Sequence, residues 1–472
     1  MDRKGSSEIL KKALSKGADF AEVYWEHRET SAISYEDNRI ERINSGIDEG
    51  VGIRVIAGDH TSYAYTNDLS LESLLRVAEL AGKAANKKEA SIQPLSFYTP
   101  KAQEQFKIEL PPDKIEINAK VEKVLEANQA ARQVDSRIRQ VSVGYGDVRQ
   151  KVTIANSVGV YVEDLRTRTR LMVSAVAAEN GVVQTGYNSV GGTVGFELLQ
   201  QESPAELGRK AAERAILMLS AAPAPTGKMP VVMAGKAGGT MVHEACGHGL
   251  EADLVQKKLS VYAGKKGQQV ASPLVTVIDD GTIQGKFGSL RYDDEGYPGQ
   301  KTVLIKDGFL EGYLYDYQTA SKEGRESTGN GRRESYKSRP LPRMRNTYIA
   351  SGKSDPDKII KEAQEGLLVT AMGGGQVNTT TGDYVFDVAE GYLIKDGQVV
   401  CPVRGATLTG NGPETLQLVE MVGKDLGYTI GICGKEGQGV PVSDAQPTMY
   451  IKELIVGGTG LTQARETKIR RL

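Results

Sequence analysis

The chain's 472 residues allow two or three domains, and its 59 basic against 60 acidic side chains give no global attraction to nucleic acid or an anionic membrane. Three cysteines, Cys246, Cys401 and Cys433, are too few and too scattered for a disulfide framework. No apolar run is long enough to cross a bilayer and Met1 to Ser7 leads into no apolar signal segment, so the expectation is a cytoplasmic protein with reduced thiols.

Residues 7–15 read as a helix closed by Lys16-Gly17. Alternating apolar residues predict strands over 21–25 and 50–56, with 61–65 returning across a turn at Gly58-Asp59. Leu71, Leu74, Leu75, Val77, Ala78 and Leu80 give residues 69–88 one apolar helical face. Residues 89–111 carry Pro94, Pro100 and Pro111 without a clear period and read as a linker. A second unit of the same order follows: a helix over 112–134, strands near 138–145, 151–156, 159–180 and 182–192, and a helix over 204–220. The Ala/Pro-rich stretch from Ala221 to Gly227 marks the clearest boundary.

The expected class is therefore α+β. Residues 1–222 form an N-terminal α/β region with antiparallel strands and helices, subdivided near 89–111. Residues 228–472 form a β-rich region carrying one helix from about Gly239 to Val255, after an opening strand over 229–234. Asp280-Gly281, Asp307-Gly308 and Asp396-Gly397 lie between alternating runs and suit tight hairpin turns.

Two of the four histidines fall in His243-Glu244-Ala245-Cys246-Gly247-His248. Histidine is the commonest protein metal ligand, and zinc peptidases keep a glutamate base directly after the first one. The spacing is unusual. In an α-helix residues five apart diverge by about 140°, so both imidazoles reach one ion only if the backbone deviates, as in a π-bulge eased by Gly247. A catalytic zinc takes three protein ligands and leaves a position open. His27 and His60 lie far away and read as ordinary strand or turn residues, which leaves a carboxylate or a thiolate for the third. Cys433 in a Gly-rich stretch, Cys246 inside the motif, and Glu251 as a ligand or a partner orienting an imidazole are the candidates.

The C-terminal half resembles the TldD/PmbA family of zinc metallopeptidases, in particular its TldD-like branch. The matching stretches are 243–251, Asp293-Asp294-Glu295-Gly296, 328–336, Pro342-Arg343-Met344-Arg345-Asn346-Thr347, 373–377, the Gly-rich stretch around Cys433, and Gln446-Pro447-Thr448. The N-terminal half is similar more loosely, around residues 17–23. The resemblance implies zinc held by His243, His248 and Cys433, with Glu244 as the base and Cys246 at a variable position. It also implies a partly enclosed chamber, unfolded peptides as substrates, and a PmbA/TldE-like partner subunit or self-association. Arg332, Arg333 and Tyr336 are substrate-binding candidates by resemblance and charge. The competing reading is a peptide-binding or scaffolding subunit with a structural or vestigial metal site; an intact Glu244 speaks against it, because a structural zinc needs no base.

Overall fold

The computed structural model describes residues 1–83 and 95–458. The expected second helix runs Leu71–Lys83; its expected continuation over 84–88, and residues 89–94 of the expected linker, lie outside the described residues. The N-terminal strands are longer than their sequence signals: β1 (Phe20–Glu36), β2 (Arg39–Ala57), β3 (His60–Thr66), β4 (Ile138–Asn156), β5 (Tyr161–Glu179) and β6 (Val182–Gly192). The two short strands expected over 138–145 and 151–156 are one continuous strand, because the polar residues between them are paired on both sides.

These strands form one sheet in the order β3-β2-β1-β4-β5-β6, antiparallel throughout. It consists of two meanders joined through their first strands. Each meander is flanked by its own helices: α1 (Arg3–Leu14) and α2 (Leu71–Lys83) for the first, α3 (Ile117–Gln133) and the helix Pro204–Ser220 for the second. Side chains alternate across the strands. Odd-numbered residues such as Val23, Val51, Ile53 and Val55 pack on α1 and α2, while Val141, Val143, Leu171 and Val173 pack on α3 and helix 204–220. Even-numbered residues of β1 and β5 are strongly charged: Glu22, Glu26 and Arg28, then Asp164, Arg166, Arg168 and Arg170. This second face is not left to solvent. The C-terminal half covers it.

Within the C-terminal half, strands Gly227–Met233, Gly366–Val377, Asp383–Lys395, Thr407–Asn411 and Met449–Gly457 pair in a closed ring. Val231, Met233, Val369, Phe386, Leu408 and Ile451 share one apolar core with Met241, Val242 and Ala245 of the motif segment. Beside this ring lies a six-stranded sheet that ends in strands Asn346–Ile349, Gln438–Gln446 and, at its edge, Gly427–Lys435. Asp307-Gly308 and Asp396-Gly397 make two-residue hairpin turns, all four residues having positive φ. Asp280-Gly281 does not. The Asp280 carboxylate accepts hydrogen bonds from the Thr282 N–H and hydroxyl, and the chain leaves the sheet there instead of turning back.

The two halves meet on buried charge. Arg54 pairs with Glu22 at 2.8 Å and, across the boundary, with Glu295 at 2.6 Å. Arg333 crosses in the other direction to bond Glu22, and its guanidinium lies 4.2 Å from the centre of the Tyr24 ring. Arg166 pairs with Asp294, and the Tyr336 N–H donates to Glu26 at 2.7 Å. Glycine makes the close approach possible: a Cβ on Gly52 would stand 2.5 Å from the Tyr336 carbonyl oxygen. Removing one member of such a seam leaves the others charged, buried and unpaired. Glu22→Gln is expected to lower unfolding stability by about 3 kcal/mol, measured by urea denaturation; a loss below about 1 kcal/mol would show that the seam contributes little.

Candidate metal centre

The motif segment is not one helix. It runs as an α-turn (Thr240–Val242), a π-turn (His243–Gly247), a 3-10 turn (His248–Leu250) and, after a break at Glu251, an α-turn (Ala252–Gln256). The His248 N–H donates to the His243 carbonyl, five residues back. This is the backbone deviation that the spacing requires, and it sets the two imidazole rings edge to face with centroids 4.8 Å apart. Gly247 is needed for packing, since a Cβ there would meet the Met344 sulfur at 2.1 Å. The break at Glu251, an extended residue, ends the helix expected to reach Val255 and turns the Glu251 carboxylate back toward His248.

Cys433 comes from the edge strand Gly427–Lys435, which turns through Glu436 and Gly437, both with positive φ, into Gln438–Gln446. The ligand atoms of His243, His248 and Cys433 lie within 4.8 Å of one another and could hold one cation. Cys433 Sγ is 3.5 Å from His248 Nε2. Each imidazole is oriented from behind. His243 Nδ1 is 2.8 Å from Asp444 Oδ1, and His248 Nδ1 is 3.2 Å from Glu251 Oε2. Both rings therefore turn Nε2 inward, the arrangement in which carboxylates fix the tautomer of metal-binding histidines. Lys435 neutralises Glu251 at 3.0 Å and Asp253 at 2.7 Å. Arg343 donates to the Cys433 carbonyl at 2.5 Å and so ties the hairpin to the stretch 342–347.

The electrostatics separate the two buried thiols. Burial raises the Cys433 pKa, but His243 and His248 outweigh it and bring it to about 4. Burial acts alone on Cys246, whose pKa rises to about 12 and whose Sγ donates to the Val242 carbonyl within the core. Burial lowers the His248 pKa, yet Glu251 and Cys433 carry it up to about 10; for His243, Asp444 and Cys433 likewise overcome burial. Glu251 falls to about 2, because Lys435 and His248 outweigh its burial. Glu244 is raised, chiefly by burial, with the two histidines pulling it back down.

His243, Glu244, His248 and Cys433 all line one cavity of about 1330 Å³. Its walls include Gly373-Gly374-Gly375 and residues 429–436, and Tyr187 to Gly191 of β6 bring the N-terminal half to its rim. Arg332, Arg333 and Tyr336 are not brought to this cavity. Arg332 donates to the Met344 and Pro441 carbonyls, while Arg333 and Tyr336 belong to the seam between the halves. Arg333 and Tyr336 are thereby engaged inside the fold. His27 sits on β1 beside Glu29 and Glu49, far from the centre in the chain, and His60 opens β3. Asp444 escaped the sequence reading. Its signal is a break in pattern: Val440, Val442 and Asp444 share one strand face, and the third is a carboxylate where an apolar residue is expected.

The PmbA/TldA metallopeptidase domain 1 model matches residues 21–85, its central domain residues 110–219, and its C-terminal domain residues 226–458. The chain belongs to the PmbA/TldD metallopeptidase family. The metalloprotease TldD homolog of Haemophilus influenzae is 40% identical over 452 residues, covering 94% of each chain. A crystal structure from Thermotoga maritima shares the fold with a TM-score of 0.78 at 22% identity, covering 96% of this chain and 99% of that one. TldE from Thermococcus kodakarensis does so with a TM-score of 0.76 at 20% identity, over 96% and 100%. The family thus carries a metal-dependent chemistry in its description, and the His243, His248 and Cys433 cluster is a group of donors among the described residues that could serve it.

The contrast between the thiols is testable. Iodoacetamide at about pH 6 should label Cys433 in chelator-treated protein and leave Cys246 unlabelled, as read by peptide mass spectrometry. A divalent metal should protect Cys433. Equal labelling of both would contradict the thiolate environment.

Proposed function

We propose that this chain is a zinc-dependent peptidase that hydrolyses unfolded or flexible peptides, with His243, His248 and Cys433 as metal ligands and Glu244 as general base. The observation that carries the reading is the convergence of these four side chains on one cavity, with a carboxylate behind each histidine. Two imidazoles and a thiolate suit zinc and leave one coordination position free. Bound there, zinc would supply Lewis acidity, lowering the pKa of water and polarising a peptide carbonyl.

The chain's own groups supply the rest. Glu244, one residue after a ligand, accepts the proton of the attacking water and passes it to the leaving amine. Its raised pKa brings it nearer to neutral pH, where it both takes and returns a proton. Asp444 and Glu251 hold the imidazoles in one tautomer, and Lys435 holds Glu251 ionised.

The strand edges support this substrate class. Strand Gly427–Lys435 is paired on one side only among the described residues, and it lines the cavity. The 372–377 segment, which lines the same cavity, is paired only with Asp383–Lys395 among the described residues. An extended peptide can add its backbone to such an edge. A partner subunit of the PmbA/TldE type is supported by the solved TldE structure of the same fold. The outer part of β2 also supports it, because Ile40, Ile43 and Ile47 stand exposed there. Three cysteines, none of them disulfide-bonded, support a cytoplasmic location.

Glu244→Gln keeps the side chain's size but cannot accept the proton. It is expected to retain about one zinc per chain and to lose peptide hydrolysis by several orders of magnitude. Near-normal turnover by the metal-loaded variant would favour a scaffolding role instead. Asp444→Ala should weaken zinc binding about 10- to 100-fold, measured by competition with a chromogenic chelator. Co-expression with the PmbA-type protein of the same source should give a stable complex with higher activity on unfolded peptide. Equal activity from this chain alone, shown monomeric by light scattering, would remove the partner from the proposal.

A further inference from the structure

A second cavity, of about 350 Å³, lies between the charged face of the N-terminal sheet and the C-terminal half. Six arginines line it: Arg28, Arg166, Arg168, Arg170, Arg332 and Arg333. Two of them are matched. Arg166 pairs with Asp164 and Asp294, and Arg333 with Glu22. The other four are not. Among the described residues, no carboxylate forms an ion pair with Arg28, Arg168, Arg170 or Arg332. Arg168 is only 8% exposed and Arg332 only 2%. Their hydrogen bonds go to carbonyls alone: Phe287 for Arg168, Met344 and Pro441 for Arg332. Arg28 Nε and Arg332 Nε are buried with no hydrogen-bond partner.

The sequence builds this cradle by alternation. In Arg166-Thr167-Arg168-Thr169-Arg170 the three arginines share one face of β5. Opposite them on β4 stand Gln150, Val148 and Gly146, which shrink along the strand and leave space beside Arg170. Buried cations without an ion-pair partner are costly, and the crowding shows in the two buried guanidinium groups, Arg168 and Arg332, although Asp294 offsets part of it. Burial, then neighbouring Arg166, lowers Arg168 to about 10; burial, then Arg168, lowers Arg332 to about 9.

We propose that this cavity binds a small multivalent oxyanion of the phosphate, pyrophosphate or phosphate-monoester class, held by Arg28, Arg168, Arg170 and Arg332. Guanidinium forks match such oxygens two at a time, and several cations in a small space favour a multiply charged ligand over a single carboxylate. The volume suits a ligand of that size and excludes a folded polypeptide. Ile432 and Pro441 of the hairpin carrying Cys433 form one wall, so a bound anion braces that hairpin from the side opposite the metal centre. The inference stands apart from the peptidase reading, because its readout is binding alone.

Isothermal titration of the full chain with inorganic pyrophosphate, at fixed ionic strength, tests it. About one site per chain is expected, with affinity reduced about tenfold or more in Arg28→Gln. Arg28 is partly exposed and has no ion-pair partner, so this variant should fold; Arg168→Gln provides a second, deeper probe. Binding should persist in His248→Ala, which separates the cavity from chelation at the metal centre. Displacement by a phosphate monoester but not by phosphate assigns an organic ligand, and the reverse assigns an inorganic one. No binding at millimolar pyrophosphate, wild-type affinity in Arg28→Gln, or loss of binding in His248→Ala would each overturn the proposal.

Discussion

His248 lies five positions after His243, and a single π-turn absorbs the one position more than an α-turn places. The surrounding fold depends on that turn being held. Met241, Val242 and Ala245 anchor it in the core of the strand ring, and Met344 packs against the bare backbone of Gly247. With the turn in place, Cys246 points into the core, Glu244 into the cavity, and both histidines toward Cys433. The stretch 342–347 serves this geometry from several sides. Arg345 pairs with Asp279 at 2.7 Å, Asn346 donates to the Asp280 carbonyl at 2.6 Å, and Arg343 holds the Cys433 strand.

The second constraint is the seam between the halves. Buried ion pairs gain little net stability over an apolar interface, but they demand one relative placement, because any other leaves charges unpaired in a dry environment. Glu22, Arg54, Arg333 and Asp294 impose that demand here. The placement has a consequence at the metal centre, since it carries β6 and the helix Pro204–Ser220 to the rim of the large cavity. Among the described residues, the N-terminal half contributes no donor to the His243, His248 and Cys433 cluster, yet it lines the same cavity.

A charged strand face ordinarily signals solvent in an antiparallel sheet. Here that inference fails. The alternation over 21–25 and a strand over 159–180 were readable, although β1 runs on to Glu36. What it could not say is that the charged face would be covered by residues some 130 to 310 positions later in the chain, as the Arg166–Asp294 and Arg333–Glu22 pairs do. The same limit applies to Arg332, Arg333 and Tyr336. Clustered charge beside glycines suggests a ligand site, and only the fold reveals that their partners are carbonyls and carboxylates of this same chain.

Local pattern determined most elements by itself. Apolar periodicity, caps and Asp-Gly turns act over a few residues, so helices 3–14 and 204–220, the β2–β3 turn and two of three expected hairpins were legible in the sequence. So was the need for a distorted turn between His243 and His248, because helix geometry alone requires it. The break at Glu251, the closed strand ring, the role of Asp444 and the fate of the charged sheet face were decided by tertiary structure. Each depends on a partner far along the chain, and the energy of a buried carboxylate or guanidinium is set by what faces it, not by its neighbours in sequence.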